Sequence, residues 1–376
     1  MKKLLVKLTL FMSLALPIEA TENLSLELQG CLQGKQEKIN STNHEEALLA
    51  VSNCLSGFVN NLSVKIEKSS LPSSQEISNS SFNSSFVSSG TEDSGSGDTV
   101  SYGTGATTSG DYNAAFGYGA LNANQSTGNS NTAVGYASLY RNTTGDNNVS
   151  IGRSAMFENT SGLDNVAIGY LALSSNTTGD DSVAIGSESL TNSTGEGNTA
   201  VGWRTLYSNT SGTANVAIGG GAMLSNTSGN SNTGIGVFAL AGNTTGVRNT
   251  AMGFQSMYNN TTADQNTGVG YQALYTNTTG NDNLAVGFCA LCYNSTGSYN
   301  TALGSNALYS NTTGTQNVAM GYKPLYSNTT GSNNTGLGYY ALYTNTTGAY
   351  NYAAGLDALR SNTTGNHNQA TGAEAL

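Results

Sequence analysis

A glycine preceded in most copies by an aliphatic residue returns along this chain at an almost fixed interval. The markers are Gly117, Gly135, Gly152, Gly169, Gly186, Gly202, Gly219, Gly236, Gly253, Gly270, Gly287, Gly304, Gly321, Gly338, Gly355 and Gly372. Successive markers lie 17 residues apart, except for 18 at the first step and 16 between Gly186 and Gly202. The unit is close to N-T-A-V-G-Y-x-A-L-Y-x-N-T-T-G-x-x. A period this strict restricts the chain to a solenoid or roll, in which each copy packs on the next. An α-solenoid needs ~30 or more residues per unit, and a pair of glycines in every copy would break its helices. Two short β-compatible runs, such as 132–135 and 137–140, followed by an Asn-Thr-Thr-Gly turn, fit the period instead. The expected fold is all-β: a parallel β-roll or β-solenoid of about sixteen 17-residue coils with a small N-terminal α-helical segment. At ~4.8 Å per rung, sixteen rungs make a rod of roughly 75–80 Å.

Aligned columns suggest which residues point inward. The residue before each marker is usually Val, Ile, Leu or Met, with Phe116, Ala354 and Thr371 at the ends. Four residues after each marker stands Leu or Met, from Leu121 to Leu376. These two columns read as the core. Two residues before the marker the side chain never exceeds Ser in size. Ala133, Ala167, Ala184, Ala200, Ala217, Ala251, Ala285, Ala302 and Ala319 stand there, with Gly234, Gly268, Gly336 and Ser150. Adjacent strand residues point to opposite faces, so an inward aliphatic column turns the small column outward. Its size limit then implies a second backbone in close approach, most simply in a homo-oligomer with its axis along the solenoid. The alternative is a coil so thin that the small column faces inward.

Composition narrows the remaining classes. The 47 glycines lack every-third-residue spacing and accompany only 3 prolines, which excludes collagen. A 37% hydrophobic content with 20 Tyr argues against simple disorder. The formal charge of −10 repels nucleic acid and anionic membrane surfaces.

The N-terminal region differs from the repeat. Residues 1–20 read as a secretory signal, with Lys2, Lys3 and Lys7 before an apolar run from Leu8 to Leu16 and a small-residue site at Ala20. No later stretch reaches ~18 apolar residues, so no membrane-spanning segment is expected in the mature chain. Residues 21–68 read as a small helical segment, with Ala47, Leu48, Val51, Leu55, Phe58, Val59 and Leu62 at helical spacing and Asn43 as N-cap. Cys31 and Cys54 are its disulfide candidates, against the alternative of two free thiols. Residues 69–99 are a Ser/Gly/Asn-rich linker, and 100–376 are the β-solenoid.

The segments Ser182-Val-Ala-Ile-Gly186, Asn165-Val-Ala-Ile-Gly169 and Asn215-Val-Ala-Ile-Gly219 resemble the head repeats of YadA-like trimeric autotransporter adhesins, a style of repeat also seen in tail-fibre-like proteins. The resemblance covers residues 113–376. It implies a left-handed parallel β-roll, three chains around one axis, and adhesion to surface or matrix ligands. The commonest unit of that family is shorter, so the extra residues here must enlarge the Asn-Thr-Thr-Gly turn. The sequence shows neither a coiled-coil stalk nor a C-terminal membrane barrel, and it stops in mid-copy at Leu376, as a fragment or a differently anchored fibre subunit would.

The sharpest chemical column is Asn-x-Thr/Ser. It runs through Asn124, Asn142, Asn159, Asn176, Asn192, Asn209, Asn226, Asn243, Asn260, Asn277, Asn294, Asn311, Asn328, Asn345 and Asn362. These are glycosylation candidates that would form a sugar-coated edge. The same residues also suit pure turn chemistry with Asn side chains hydrogen-bonded from rung to rung. Tyr recurs one and five residues after the marker, as in Tyr136 and Tyr140, and would form ladders that stack on sugars or cover the coil. Cys289 and Cys292 form a CxxC. In an extended strand their Cα atoms are ~10 Å apart, too far for a disulfide, which leaves a local turn, an inter-chain bridge or free thiols.

No carboxylate pair, nucleophile–His arrangement, phosphate loop or recurrent Asp motif for calcium stands out, so no enzyme activity, cofactor or metal is expected. His44 and His367 lie in unrelated regions. The expected function is a secreted structural or adhesive fibre or head protein, extracellular or at the cell surface, homo-oligomeric with a trimer favoured. A surface or matrix glycan or protein is its expected ligand, and nucleic acid is not expected as a partner. The alternatives are a phage or viral fibre protein and an ice-binding β-solenoid.

Overall fold

The computed structural model describes residues 100–103, 110–122 and 127–376, all within the second of the chain's two units, 80–376. The signal, the helical segment, Cys31, Cys54, the linker up to residue 99, and Asn124 lie outside the described residues.

The described chain is all-β. Seventeen strands of three residues each, from β1 (Val100–Tyr102) to β17 (Gln369–Thr371), form one parallel sheet in which each strand pairs with its sequence neighbours. Register is exact from copy to copy. In β3 (Thr132–Val134) and β4 (Val149–Ile151), Thr132 lies opposite Val149, Ala133 opposite Ser150 and Val134 opposite Ile151. One turn of the β-solenoid thus takes about one 17-residue unit, and β1 adds a coil before the first marker, closed by Gly103 at φ 126°.

Each coil carries one strand, not two. The run 137–140, expected as a second strand, is a corner. Ala137 and Leu139 both adopt left-handed backbone with φ 52°, as do the corresponding residues of the other copies. Such non-glycine residues cost of order 1 kcal/mol each. Here they turn N–H groups along the roll axis. Ala137 N–H donates to the Tyr118 carbonyl at 2.8 Å, and Leu139 N–H to the Ala155 carbonyl at 2.9 Å. Gly135 opens the corner at φ 127°, and a Cβ on it would stand 2.7 Å from the Gly152 carbonyl oxygen. The marker must therefore be glycine for two reasons, backbone angle and rung spacing.

The core corrects one of the two sequence columns. The Leu/Met column four residues after the marker is buried from Leu121 to Leu359, as expected: Leu139, Leu173, Leu206 and Leu274 have at most 1% exposure. The aliphatic column before the marker points outward instead, with Ile151, Ile185 and Ile218 near 37–39% exposed. The small column therefore faces inward. Ala133, Ala167, Ala184, Ala200, Ala217, Ala251, Ala285, Ala302 and Ala319 are all completely buried within the single chain. Their size limit comes from the opposite wall of a thin coil and not from a neighbouring molecule. A Cβ on Gly268 would lie 3.0 Å from Met257 Cγ and 2.8 Å from Ser256 Oγ, and one on Gly234 would lie 3.3 Å from Met223 Cγ. Ser150 is accommodated because its hydroxyl donates to the Ala155 carbonyl at 2.9 Å and pairs with Ser138 Oγ at 2.7 Å.

Candidate functional site

Two asparagine ladders run inside the roll. The first is the sequon column, which was expected to be exposed. Asn142, Asn159, Asn176, Asn209, Asn226, Asn243, Asn260, Asn277, Asn294, Asn311, Asn328 and Asn345 are buried, and Asn362 is half-buried at the last described rung. Each Nδ2 is engaged in the interior. Asn243 Nδ2 donates to Asn226 Oδ1 at 2.7 Å and to the Gly246 carbonyl at 3.1 Å. A glycan on these nitrogens has no room in the folded coil, so the residues serve the turn. Asn192 differs. The short 16-residue step shifts the chain by one position, Ser193 takes the ladder place, and Asn209 Nδ2 donates to Ser193 Oγ at 2.9 Å. Asn192 is left exposed, bonded only to the Tyr207 carbonyl at 2.9 Å.

The second ladder went unread in the sequence. It stands four residues before each marker except Gly186, where Ser182 takes the place; Asn131, Asn148, Asn165, Asn198 and their successors to Asn351 are buried, and Asn368 is half-buried. Asn148 Nδ2 donates to Asn131 Oδ1 at 3.1 Å and to the Gly162 carbonyl at 2.8 Å. The two ladders meet on shared glycines, since the Gly145 carbonyl accepts from Asn131 at 2.8 Å and from Asn142 at 2.9 Å. The column's near-invariance was visible as the first letter of the repeat. What it lacked was a chemical motif to draw notice.

The ladders leave the outer face of the sheet to other columns. Strand alternation sends the residues three and one before the marker outward. They are mostly Thr or Val in the first column and Val, Ile, Leu or Met in the second. The residue after the marker adds a bordering aromatic column that includes Tyr136, Tyr170, Trp203, Phe254, Tyr271, Phe288, Tyr322 and Tyr339, all exposed. Trp203 and Phe288 are more than half exposed, at 52% and 53%. Across these three columns, from Ala114 to Ala373, Arg153 is the one charged residue. Its guanidinium lies over the Tyr136 and Tyr170 rings at 6.0 and 5.6 Å.

The aromatic columns stack on themselves. Phe254, Tyr271 and Phe288 follow one another at centroid spacings of 5.6 and 5.2 Å. In the column five residues after the marker, Tyr309 and Tyr326 lie 4.9 Å apart with planes 1° from parallel. Within these stacked runs each ring face is turned along the axis toward the next ring, so a sugar there meets ring edges and not the faces it needs for stacking. This geometry supports covering the coil over gripping a sugar.

Charged groups are sparse and cross-linked between rungs. Arg141 meets Glu158 at 2.6 Å, and Arg204 meets Glu188 at 2.7 Å, both near the surface. Donating a hydrogen bond to the Glu188 carboxylate raises the Arg204 guanidinium above its ordinary value. Thr143 Oγ1 donates to the Thr160 carbonyl at 2.8 Å, and both Thr143 and the following Thr144 are exposed. An open hollow lined by Asp357, Arg360, Asn362 and Glu374 is the exposed end of the last rung. Among the described residues, no group of three or more His, Cys, Asp or Glu is placed to hold a metal ion, and no helix is long and apolar enough to cross a membrane.

The CxxC lies in a corner and not in an extended run, with Cys289 at φ 49°. Its sulfurs are 2.9 Å apart.

Comparison with protein-family models, with curated proteins and with solved structures finds no match to this chain.

Proposed function

We propose that this protein is a structural and adhesive rod: a β-roll that associates with copies of itself through its outer sheet face and presents its repeated polar edges for many weak contacts. The observation that carries the reading is the face formed by the three outward columns, rich in aliphatic and aromatic side chains and with Arg153 as its one charge, on a chain with formal charge −10. About fifteen rung steps of ~4.8 Å make that face roughly 70 Å long, and four residues of strand at ~3.3 Å make it about 13 Å wide. The resulting ~900 Å² matches the ~800 Å² that each partner contributes to a standard stable interface. A soluble monomer rarely exposes an apolar patch larger than a few hundred Å², and the aliphatic and aromatic columns supply most of this face. A second roll of the same period matches it rung for rung, so the self-contact falls on the aliphatic and aromatic columns and not on the alanines. The resemblance to adhesin head repeats supports three chains per assembly and an extracellular or cell-surface setting. Multivalent display along the rod would convert weak ligand contacts into avidity.

The test is sedimentation of the full chain at micromolar concentration, followed by retention of chain-coated beads on surfaces of glycans and matrix proteins. An oligomer whose dissociation abolishes retention is expected. A monomer, or retention unchanged by dissociation, contradicts the reading.

A second reading has one observation in its favour. Thr233, Thr250 and Thr267 stand on consecutive rungs of the flat outer face, beside Ile235, Met252 and Val269, an array able to order water. Val216 and Leu284 interrupt the array on either side. Thermal hysteresis of a solution of the chain would support ice binding, and its absence removes this reading.

A further inference from the structure

We propose that Cys289 and Cys292 are an oxidative modification site, closing into an intrachain disulfide that staples one corner of the roll. The residues two and five after the marker meet across the corner in several copies. Tyr340 and Tyr343 pack with centroids 4.8 Å apart, Arg204 lies 4.9 Å from the Tyr207 ring, and Arg360 pairs with Asp357 at 3.1 Å. In the copy marked by Gly287 these two positions are both cysteine, and the corner brings their sulfurs to 2.9 Å. Left-handed backbone at Cys289 and at Leu291, both φ 49°, holds them there. A disulfide needs its sulfurs at about 2.05 Å and its Cα atoms within about 7 Å, so a tight turn that already juxtaposes the thiols is close to the closed geometry.

The surroundings fit a staple and not a redox catalyst. Both side chains are nearly buried, at 5% and 4% exposure. Burial, helped by the neighbouring Cys289, pushes the Cys292 thiol up from its ordinary value, opposite to the lowered thiol of a disulfide exchanger. The pair also marks a break in an aromatic ladder. Cys292 stands where Tyr275 and Tyr309 stand in adjacent copies, and the displaced Tyr293 meets Tyr309 edge-on at 84°. A covalent tie would hold the corner where ring stacking is interrupted.

The oxidant is a small disulfide such as oxidised glutathione. One protein thiolate attacks a glutathione sulfur and releases one glutathione thiolate. The second protein thiol, giving up its proton, attacks the mixed disulfide and releases the other glutathione. The protein loses two electrons and two protons, and one oxidised glutathione becomes two reduced ones.

The experiment equilibrates the full chain with a defined ratio of reduced to oxidised glutathione. It then unfolds the protein in guanidinium with excess N-ethylmaleimide, digests it, and weighs the peptide spanning residues 289–292. The expected native product is lighter than the dithiol by two hydrogen atoms and gains two maleimides only after reduction. Because the fold brings the sulfurs together, the closed-to-open ratio should fall at least about tenfold when guanidinium is present during equilibration. A native product that carries two maleimides, a glutathione adduct or a link to another peptide overturns the proposal. Equal ratios in the folded and unfolded chain overturn it as well.

Discussion

Asn159 donates its side-chain amide to Oδ1 of Asn142, one rung away, at 2.8 Å, and both side chains are fully buried. The relationship repeats along the roll and explains why a coil so poor in large apolar residues holds together. Each amide satisfies the next, and each also satisfies a glycine carbonyl that would otherwise be buried without a partner.

Removing one amide should therefore hurt more than its size suggests. Asn243→Ala strands Asn226 Oδ1 and Asn260 Nδ2, each left with one bond fewer. A loss of about 1–3 kcal/mol is expected, read as a lower denaturant midpoint. Asn243→Asp places an acceptor where a donor is needed. Its carboxyl is better tolerated when protonated, so its folded pKa should rise above the unfolded value of about 3.9. Stability of that variant should then fall as pH rises through and beyond that value. Identical denaturant midpoints for Asn243→Asp at about pH 3 and pH 7, once the parent's own change is subtracted, would contradict the ladder.

Gly219 tests the corner. Its φ is 119°, and a Cβ there would lie 2.8 Å from the Gly236 carbonyl oxygen. Gly219→Ala should lower the melting temperature markedly, by a local loss of 1–3 kcal/mol or more. Gly220→Ala, at a neighbour where a Cβ meets nothing within 4 Å, should change it little. Equal effects would show that the corner is drawn wrongly.

Gly268 tests the thin interior. Gly268→Ala drives a methyl toward Met257 and Ser256 and should destabilise by about 1–3 kcal/mol. Adding Ser256→Ala, which removes the Oγ that would stand 2.8 Å from the new methyl, should recover part of the loss. A double variant no more stable than Gly268→Ala alone would argue against direct contact.

Glycan occupancy should follow the burial pattern. Native, folded protein should carry no sugar on Asn142 or its buried counterparts, whereas Asn192 is exposed. Peptide mapping before and after glycosidase treatment checks this. Sugars on the buried column of native material would contradict the fold.

The period made the architecture readable, and Leu274 and its column were readable as core because only Leu or Met stands there. Side-chain direction was harder. Ile218 and Ala217 are neighbours, and hydrophobicity alone assigns the larger one to the interior. Only the thickness of the coil reverses that, and thickness depends on corners built from left-handed Leu and Ala, which no propensity signals. For the same reason 137–140 resembled a strand and Cys289 and Cys292 looked too far apart. Asn142 was legible as a turn residue and as a sequon equally, because both readings use the same three letters. The shifted Asn192 could be read from the 16-residue step once the ladder was known.

The two neighbours Ala217 and Ile218 offer the most direct test. Ala217 is fully buried and Ile218 is 39% exposed. Sedimentation velocity and thermal melting of Ala217→Leu and Ile218→Glu should separate them. Ala217→Leu should melt earlier because the coil interior is overpacked. Ile218→Glu should keep the parent melting temperature of the single roll but weaken self-association, since a charge enters the apolar face. The reverse pattern, a stable but dissociated Ala217→Leu and an unfolded Ile218→Glu, would contradict the account.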